Sequence, residues 1–239
     1  MNGFQYHPDI LARFPQIVGG VILARGMKNG PTPEALQEAY IDEQQTVIAR
    51  IGATPLSELE SLAAWRSAFR SFDVNPTKYR SAIEALLRRL TKKGDIPSIN
   101  TVVDLVNMIS IRHQMPVAAF DVRALTGAIT VGFAKGSERY KSLGQSEVQH
   151  PEVGEVIFAD ETDLVIARRW CWRQSDESAT RPETSDAIFT IETQHPGGRW
   201  NVEAALDDLL ALLPEYVGGV FQSDVLDVDN PAIAWKDAG

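Results

Sequence analysis

Two short apolar runs, Glu155-Val-Ile-Phe-Ala-Asp160 and Leu164-Val-Ile-Ala167, follow one another closely in the chain. They are too short for buried helices and rich in β-branched residues, so they predict paired strands. The second run leads straight into Arg168–Thr184, a stretch that carries Trp170, the only cysteine (Cys171) and Trp172. Arg168, Arg169 and Arg173 crowd the same turn, and Gln174, Ser175, Asp176 and Glu177 follow at once. A segment of this kind has to leave a strand end and turn, which gathers planar donors, ring faces and carboxylates at a sheet edge. That gathering suits a pocket. The plainer alternative is that the tryptophans fill the core while the arginines pair with nearby acids.

The rest of the chain frames this cluster. Phe14–Arg25 reads as a buried strand interrupted by Gly19-Gly20. A helix is predicted from Thr32 or Pro33 to about Ile51, and a second from Thr54-Pro55, as cap and first helical residue, towards Phe72. Asp73-Val-Asn-Pro76 breaks it, and helical spacing resumes from Lys78 to near Gly94. Asn100 or Thr101 caps a further helix, in which Asp104, Asn107, Ser110 and His113 share one flank. Such a polar flank on an apolar helix suits a cavity wall, while His113 alone suits a C-terminal cap. Strands are predicted at Pro116–Asp121, Gly127–Ala134 and Asp186–Thr193, the last carrying Glu192. The stretch 135–154 reads as a loop, and a helix from Trp200 to Leu213 stops at Pro214. This order argues for one α+β unit with a mixed sheet flanked by helices.

Charge and composition narrow the function. The net charge is −9 and 44% of residues are apolar, so the molecule has a substantial core and is no general polyanion binder. Against that background residues 66–93 hold eight basic side chains and two acids. Arg88, Arg89, Lys92 and Lys93 fall on the outer side of a helix, with Tyr79 and Arg80 at its start. A phosphate-facing patch and a merely solvated face both fit this pattern. One cysteine excludes an internal disulfide and fits a reducing cytoplasm. No signal-like leader or long apolar span is visible, and a cytoplasmic protein is expected. Four scattered histidines, and no phosphate-loop, dinucleotide or serine-hydrolase motif, leave no cofactor and no metal expected.

Three segments carry a family resemblance. Asn75-Pro-x-x-Tyr-Arg-x-x-Ile-Glu-Ala-Leu, Pro97-Ser-Ile-Asn-x-Val-Val-Asp-Leu-x-Asn and Pro116-Val-x-x-Phe-Asp resemble the B3/B4 domain of the bacterial phenylalanyl-tRNA synthetase β subunit. Arg169-Trp-x-Trp-Arg-Gln-Ser-Asp resembles the free-standing version of that domain. The resemblance runs from about Tyr79 to Gly219. It implies an N-terminal strand-helix extension over 1–72, packed on a B3/B4 domain over 73–220, and the composition of 221–239 reads as an acidic tail. In the synthetase this domain removes wrongly attached tyrosine from tRNA, and a free-standing relative removes canavanine from arginine tRNA. The resemblance therefore implies a trans-editing deacylase acting on the aminoacylated 3′ end of a tRNA, with no DNA or membrane partner. A non-catalytic RNA-binding module and a small-molecule binder using the same pocket are the alternatives.

The carry-over has two departures. Ala118 stands where the synthetase has a histidine, and Asp176 falls near the position of its pocket glutamate. Under this reading Asp176 orients the attacking water while Arg169 and Arg173 hold the terminal nucleotide and polarise the ester. Asp104, Asn107, Ser110, Asp121, Trp170, Trp172, Gln174, Ser175 and Glu192 surround the amino acid. The acids among them favour a guanidinium-like side chain, which pairs with carboxylates and stacks on indole rings.

Overall fold

The computed structural model describes residues 3–236; residues 1–2 and the last three of the expected acidic tail, 237–239, lie outside the described part. The first half contains β1 (Gly3–Tyr6), α1 (Pro8–Arg13), β2 (Val18–Arg25), α2 (Glu34–Ile51), α3 (Glu60–Ser71), α4 (Ala82–Lys93) and α5 (Thr101–His113). Then come β3 (Val117–Asp121), β4 (Ile129–Phe133), β5 (Tyr140–Lys141), β6 (Val148–Gln149), β7 (Val156–Ala159) and β8 (Val165–Arg168). The chain closes with β9 (Arg173–Gln174), β10 (Ala187–Thr193), α6 (Gly198–Tyr216), β11 (Val220–Leu226) and β12 (Ala232–Ala234).

An inner antiparallel sheet, ordered β11-β2-β10-β3, lies between two cores. Successive residues of β2 point to opposite faces, as strand geometry dictates. Ile22 and Ala24 meet the helical layer of α2, α4, α5 and α6. Val21 and Leu23 meet the second sheet, together with α1 and α3. Burial on both faces explains why β2 carries no polar side chain between Val18 and Ala24, and why Thr190, Glu192 and Thr193 of β10 are buried with its apolar residues. The second sheet is ordered β12-β1-β4-β7-β8-β9, with β1 and β4 parallel and the other pairs antiparallel. The architecture is α+β with mixed sheets flanked by helices. Among the described residues no helix is long and apolar enough to cross a membrane.

Several local expectations shift. Residues 3–25 and 220–234 do not pack on the domain from outside: β1, β2, β11 and β12 are strands of its two sheets. Thr54-Pro55 opens only a single 3-10 turn at Leu56–Glu58, because Leu59 is extended; the helix begins at Glu60. Ser81, not Lys78, starts α4, its hydroxyl accepting from the Glu84 amide. Inside the expected loop at 135–154, β5 and β6 form a short hairpin. Helix α6 passes through Pro214 and ends at Tyr216, so the proline falls in its last turn.

The polar flank of α5 divides as well. Asn100 caps the helix at the Val103 amide, 3.0 Å away. Asp104 is fully buried and faces the start of α2, away from any opening. It accepts from Thr32 Oγ1 at 2.6 Å, from the Ile99 amide at 2.9 Å and from the Ser98 hydroxyl. Ser110 donates to the Met115 carbonyl at 2.6 Å, and His113 pairs with Asp208 at 2.8 Å. Only Asn107 is left to face a cavity. Asp104→Ala leaves three donors without their acceptor, each buried lapse costing about 1–3 kcal/mol. Urea unfolding is expected to show a loss on the order of 3 kcal/mol, at the lower end of that sum.

Candidate functional site

Strand β8 ends in Arg168, and the chain then reverses so that β9 can pair with it, Ala167 opposite Gln174 and Arg168 opposite Arg173. The reversal places two consecutive non-glycine residues, Arg169 (φ 46°) and Trp170 (φ 60°), in the left-handed region. Each such residue costs about 1–3 kcal/mol and persists only where its surroundings fix it. Here they do. Glu155, itself buried, grips Arg168 through two hydrogen bonds of 2.8 and 2.7 Å and accepts the Arg169 amide at 3.1 Å. The Trp170 amide donates to the Val156 carbonyl at 2.7 Å. Its indole is wholly buried, edge-on to Phe14 and Trp65.

The turn closes one side of a cavity of about 200 Å³. Val103, Val106 and Asn107 of α5 form another side, and residues 117–120 of β3 a third. Glu192, Trp170, Phe120 and Phe158, nearly or wholly buried, mark its inner end; half-buried Trp172 and exposed Arg173 mark the rim. Ala118 faces inward with Thr190 paired across from it. Asn107, Trp170, Trp172, Arg173, Gln174 and Glu192 are thus brought to one cavity from distant parts of the chain.

Glu192 is the carboxylate that lines it. Its Oε1 accepts from Tyr6 Oη at 2.7 Å and from Trp170 Nε1 at 3.0 Å. Burial pushes its pKa from 4.5 up to about 7, against the opposing pull of those two hydrogen bonds. Tyr6 reaches it because Gly19, paired with Glu192 across β2 and β10, has no side chain: a Cβ there would fall 2.2 Å from Tyr6 Oη. Neither Tyr6 nor Gly19 stood out as a site residue in the sequence. The glycine pair inside a strand was the one legible signal of a close approach. Burial, with Glu192 nearby, drives the Cys171 thiol well above its usual range, which disfavours a thiolate nucleophile.

The remaining expected site residues lie elsewhere. Asp176 does not line the cavity: it accepts the Gly144 amide at 3.1 Å and pairs with Arg181 at 3.0 Å. Asp121 holds Thr184, the Arg123 amide and the Arg123 guanidinium, and Ser175 bonds Ser178 at 3.0 Å. Asp104 and Ser110 serve α5 as described. Arg169 turns from the cavity to Glu155 and Glu152, at 3.5 and 3.6 Å, with its Cζ 3.9 Å from the centre of the Tyr79 ring. On α4, Arg88, Arg89, Lys92 and Lys93 share the outer side, where Arg89 pairs with Asp95. Arg80 lies 3.8 Å from Glu84. Among the described residues no group of three or more histidine, cysteine or acidic side chains is placed to hold a metal ion.

Residues 64–218 match the B3/4 domain. The chain belongs to the B3/4 domain family. Its relatives include the phenylalanine–tRNA ligase beta subunit of Shewanella oneidensis, 31% identical over 94 residues, covering 39% of this chain and 12% of that protein. The Nocardia farcinica subunit of the same name is 28% identical over 173 residues, covering 62% of this chain and 20% of that protein. The one from Aquifex aeolicus is 38% identical over 80 residues, 34% of this chain and 10% of that protein. The chain therefore spans between 10% and 20% of the length of these relatives. An N-terminal fragment of the phenylalanyl-tRNA synthetase beta subunit from Pyrococcus horikoshii superposes with a TM-score of 0.47 at 11% identity, covering 92% of this chain and 50% of that one.

The raised pKa of Glu192 has a thermodynamic consequence. The folded state holds this proton more tightly than the unfolded chain, so the group's contribution is largest below about pH 4.5 and is lost as pH rises through about 7. Against Glu192→Gln, the parent protein is expected to lose roughly 3 kcal/mol of stability between pH 4.5 and 8. Parallel urea titrations of the two proteins would check this, and equal pH slopes would refute it.

Proposed function

We propose that this B3/4 domain hydrolyses the ester of a mischarged aminoacyl-tRNA, with the amino acid side chain inside the cavity and the ester at its rim. The relationship to tRNA ligase subunits supports a tRNA-related role. The single observation that carries the finer reading is the cavity with Glu192 at its inner end. A cavity of roughly 150 Å³ holds a benzene ring, so about 200 Å³ matches an amino acid side chain. Apolar walls suit a methylene stem, and one buried carboxylate beside indole rings suits a guanidino or guanidinooxy head, as in canavanine.

At the rim, the exposed Arg173 guanidinium rests 4.8 Å from the Trp172 ring centre and has no ion-paired carboxylate among the described residues. It is the group placed to receive charge on the ester oxygen. Water adds to the carbonyl carbon, and the oxygen gathers negative charge beside Arg173. The bond to the ribose oxygen then breaks, and the proton of the water passes to that oxygen. The neighbouring ribose hydroxyl of the substrate can orient the water. Asp176 and Arg169, held by Arg181 and by Glu155, take no part in this scheme.

A panel of canavanyl- and arginyl-tRNA with tyrosyl- and phenylalanyl-tRNA tests the proposal. One misacylated species is expected to be released fast. Arg173→Ala is expected to lower kcat roughly a hundredfold, the usual cost of a lost oxyanion donor. Glu192→Gln is expected to cost about 10–100-fold in kcat/KM for the guanidino substrate, the worth of a charge-assisted pair. Because only ionised Glu192 pairs with a guanidinium, kcat/KM should rise as pH passes through about 7 and then level off. No release from any species, with tRNA still bound, would leave a binding module in place of an enzyme.

The outer side of α4 is assigned to the tRNA body. Replacing Arg88, Arg89, Lys92 and Lys93 together by Glu is expected to weaken tRNA association and flatten its salt dependence in filter-binding titrations. Unchanged affinity and slope would remove this face from the interface.

A further inference from the structure

Beside the cavity rim, cations and rings alternate. Lys78 Nζ lies 4.9 Å from the centre of the Tyr79 ring, whose other cationic neighbour is Arg169, with Cζ at 3.9 Å. Arg169 also lies 4.6 Å from the Trp172 ring centre, and Arg173 follows at 4.8 Å from the same ring. Tyr79 and Trp172 meet edge to face at 5.0 Å. The middle cation is immobilised: Arg169 is buried and ion-paired to Glu155, so it braces the two rings and is a positioning residue. The outer two differ. Lys78 and Arg173 are exposed, and neither has an ion-paired carboxylate among the described residues.

We propose that this strip is a track for single-stranded RNA, with unpaired bases stacking on Tyr79 and Trp172 and phosphates meeting Lys78 and Arg173. Half-buried rings held between cations are how proteins bind unpaired nucleotides without reading their sequence. An acidic peptide would need the cations but not the rings. The purpose of the track rests on the deacylase reading: Trp172 and Arg173 also line the cavity, so a strand on the strip ends at its mouth. The strip and the outer side of α4 then divide the work, one taking the unpaired end and the other the body of the RNA.

Fluorescence anisotropy with a short labelled oligoadenylate, beside a duplex of the same length, tests the track. The single strand is expected to bind more tightly than the duplex. Tyr79→Ala should weaken it roughly tenfold, the scale of one base–ring stack, while Tyr79→Phe restores binding. Lys78→Ala, at an exposed position that leaves the rings in place, should lower the salt slope by about 0.7. The fourfold α4 variant should leave the short strand's affinity unchanged. Equal binding of strand and duplex, or indifference to both Tyr79→Ala and Lys78→Ala, would overturn the track even if deacylation proceeds. Binding that depends on Tyr79 and Lys78, in a protein that deacylates nothing, would uphold the track and overturn the cavity reading.

Discussion

One carboxylate oxygen, Oε1 of Glu192, joins three parts of the chain that are far apart in sequence. Tyr6 reaches it from β1 in the second sheet, Trp170 from the reversal after β8, and Glu192 itself belongs to β10 of the inner sheet. The strained turn at Arg169 and Trp170 is held from one side by this bond and from the other by Glu155. A polar group this deeply buried has to be satisfied, and satisfying it fixes how the two sheets meet. The cavity is the space left where they meet.

Much of the element plan was legible in the sequence, because β2, β10 and α5 carry strong patterns. The Arg/Trp cluster leaves a strand end as its pattern predicts, and of the two cap candidates, Asn100 and Thr101, it is Asn100 that caps α5. Patterns of burial, however, do not say what a buried polar group faces. Asp104, Asn107 and Ser110 share a helix flank, yet each meets a different neighbour, and only Asn107 reaches the cavity. Asp176 looked like a pocket acid by position along the chain, while loop geometry turns it to Arg181. Tyr6 gave no signal at all, since a lone tyrosine near a chain start has no local reason to contact residue 192.

The arginines show how charge is apportioned. Arg168 and Arg169 lie in the interior, where one buried acid, Glu155, pairs with both of them and their role is architectural. Arg173, a few residues on, is exposed and has no ion-paired carboxylate among the described residues. A residue type that looks uniform in the sequence is thus divided by burial into bracing and available cations. That division is not encoded in residue type, because it depends on which side of the reversal each guanidinium leaves.

The inner sheet takes β2 from near the beginning of the chain, β10 from late in it and β11 from later still, side by side. Closing such a sheet joins segments across most of the chain, so the loop-closure entropy falls due before the long-range contacts repay it. Helices α2 to α5 can form early but have no finished sheet to cover until β10 arrives. During synthesis β2 therefore waits, as an apolar strand without partners, for β10 and β11 to emerge. A fold of this weave is slow to complete and exposed to misassociation while it is incomplete.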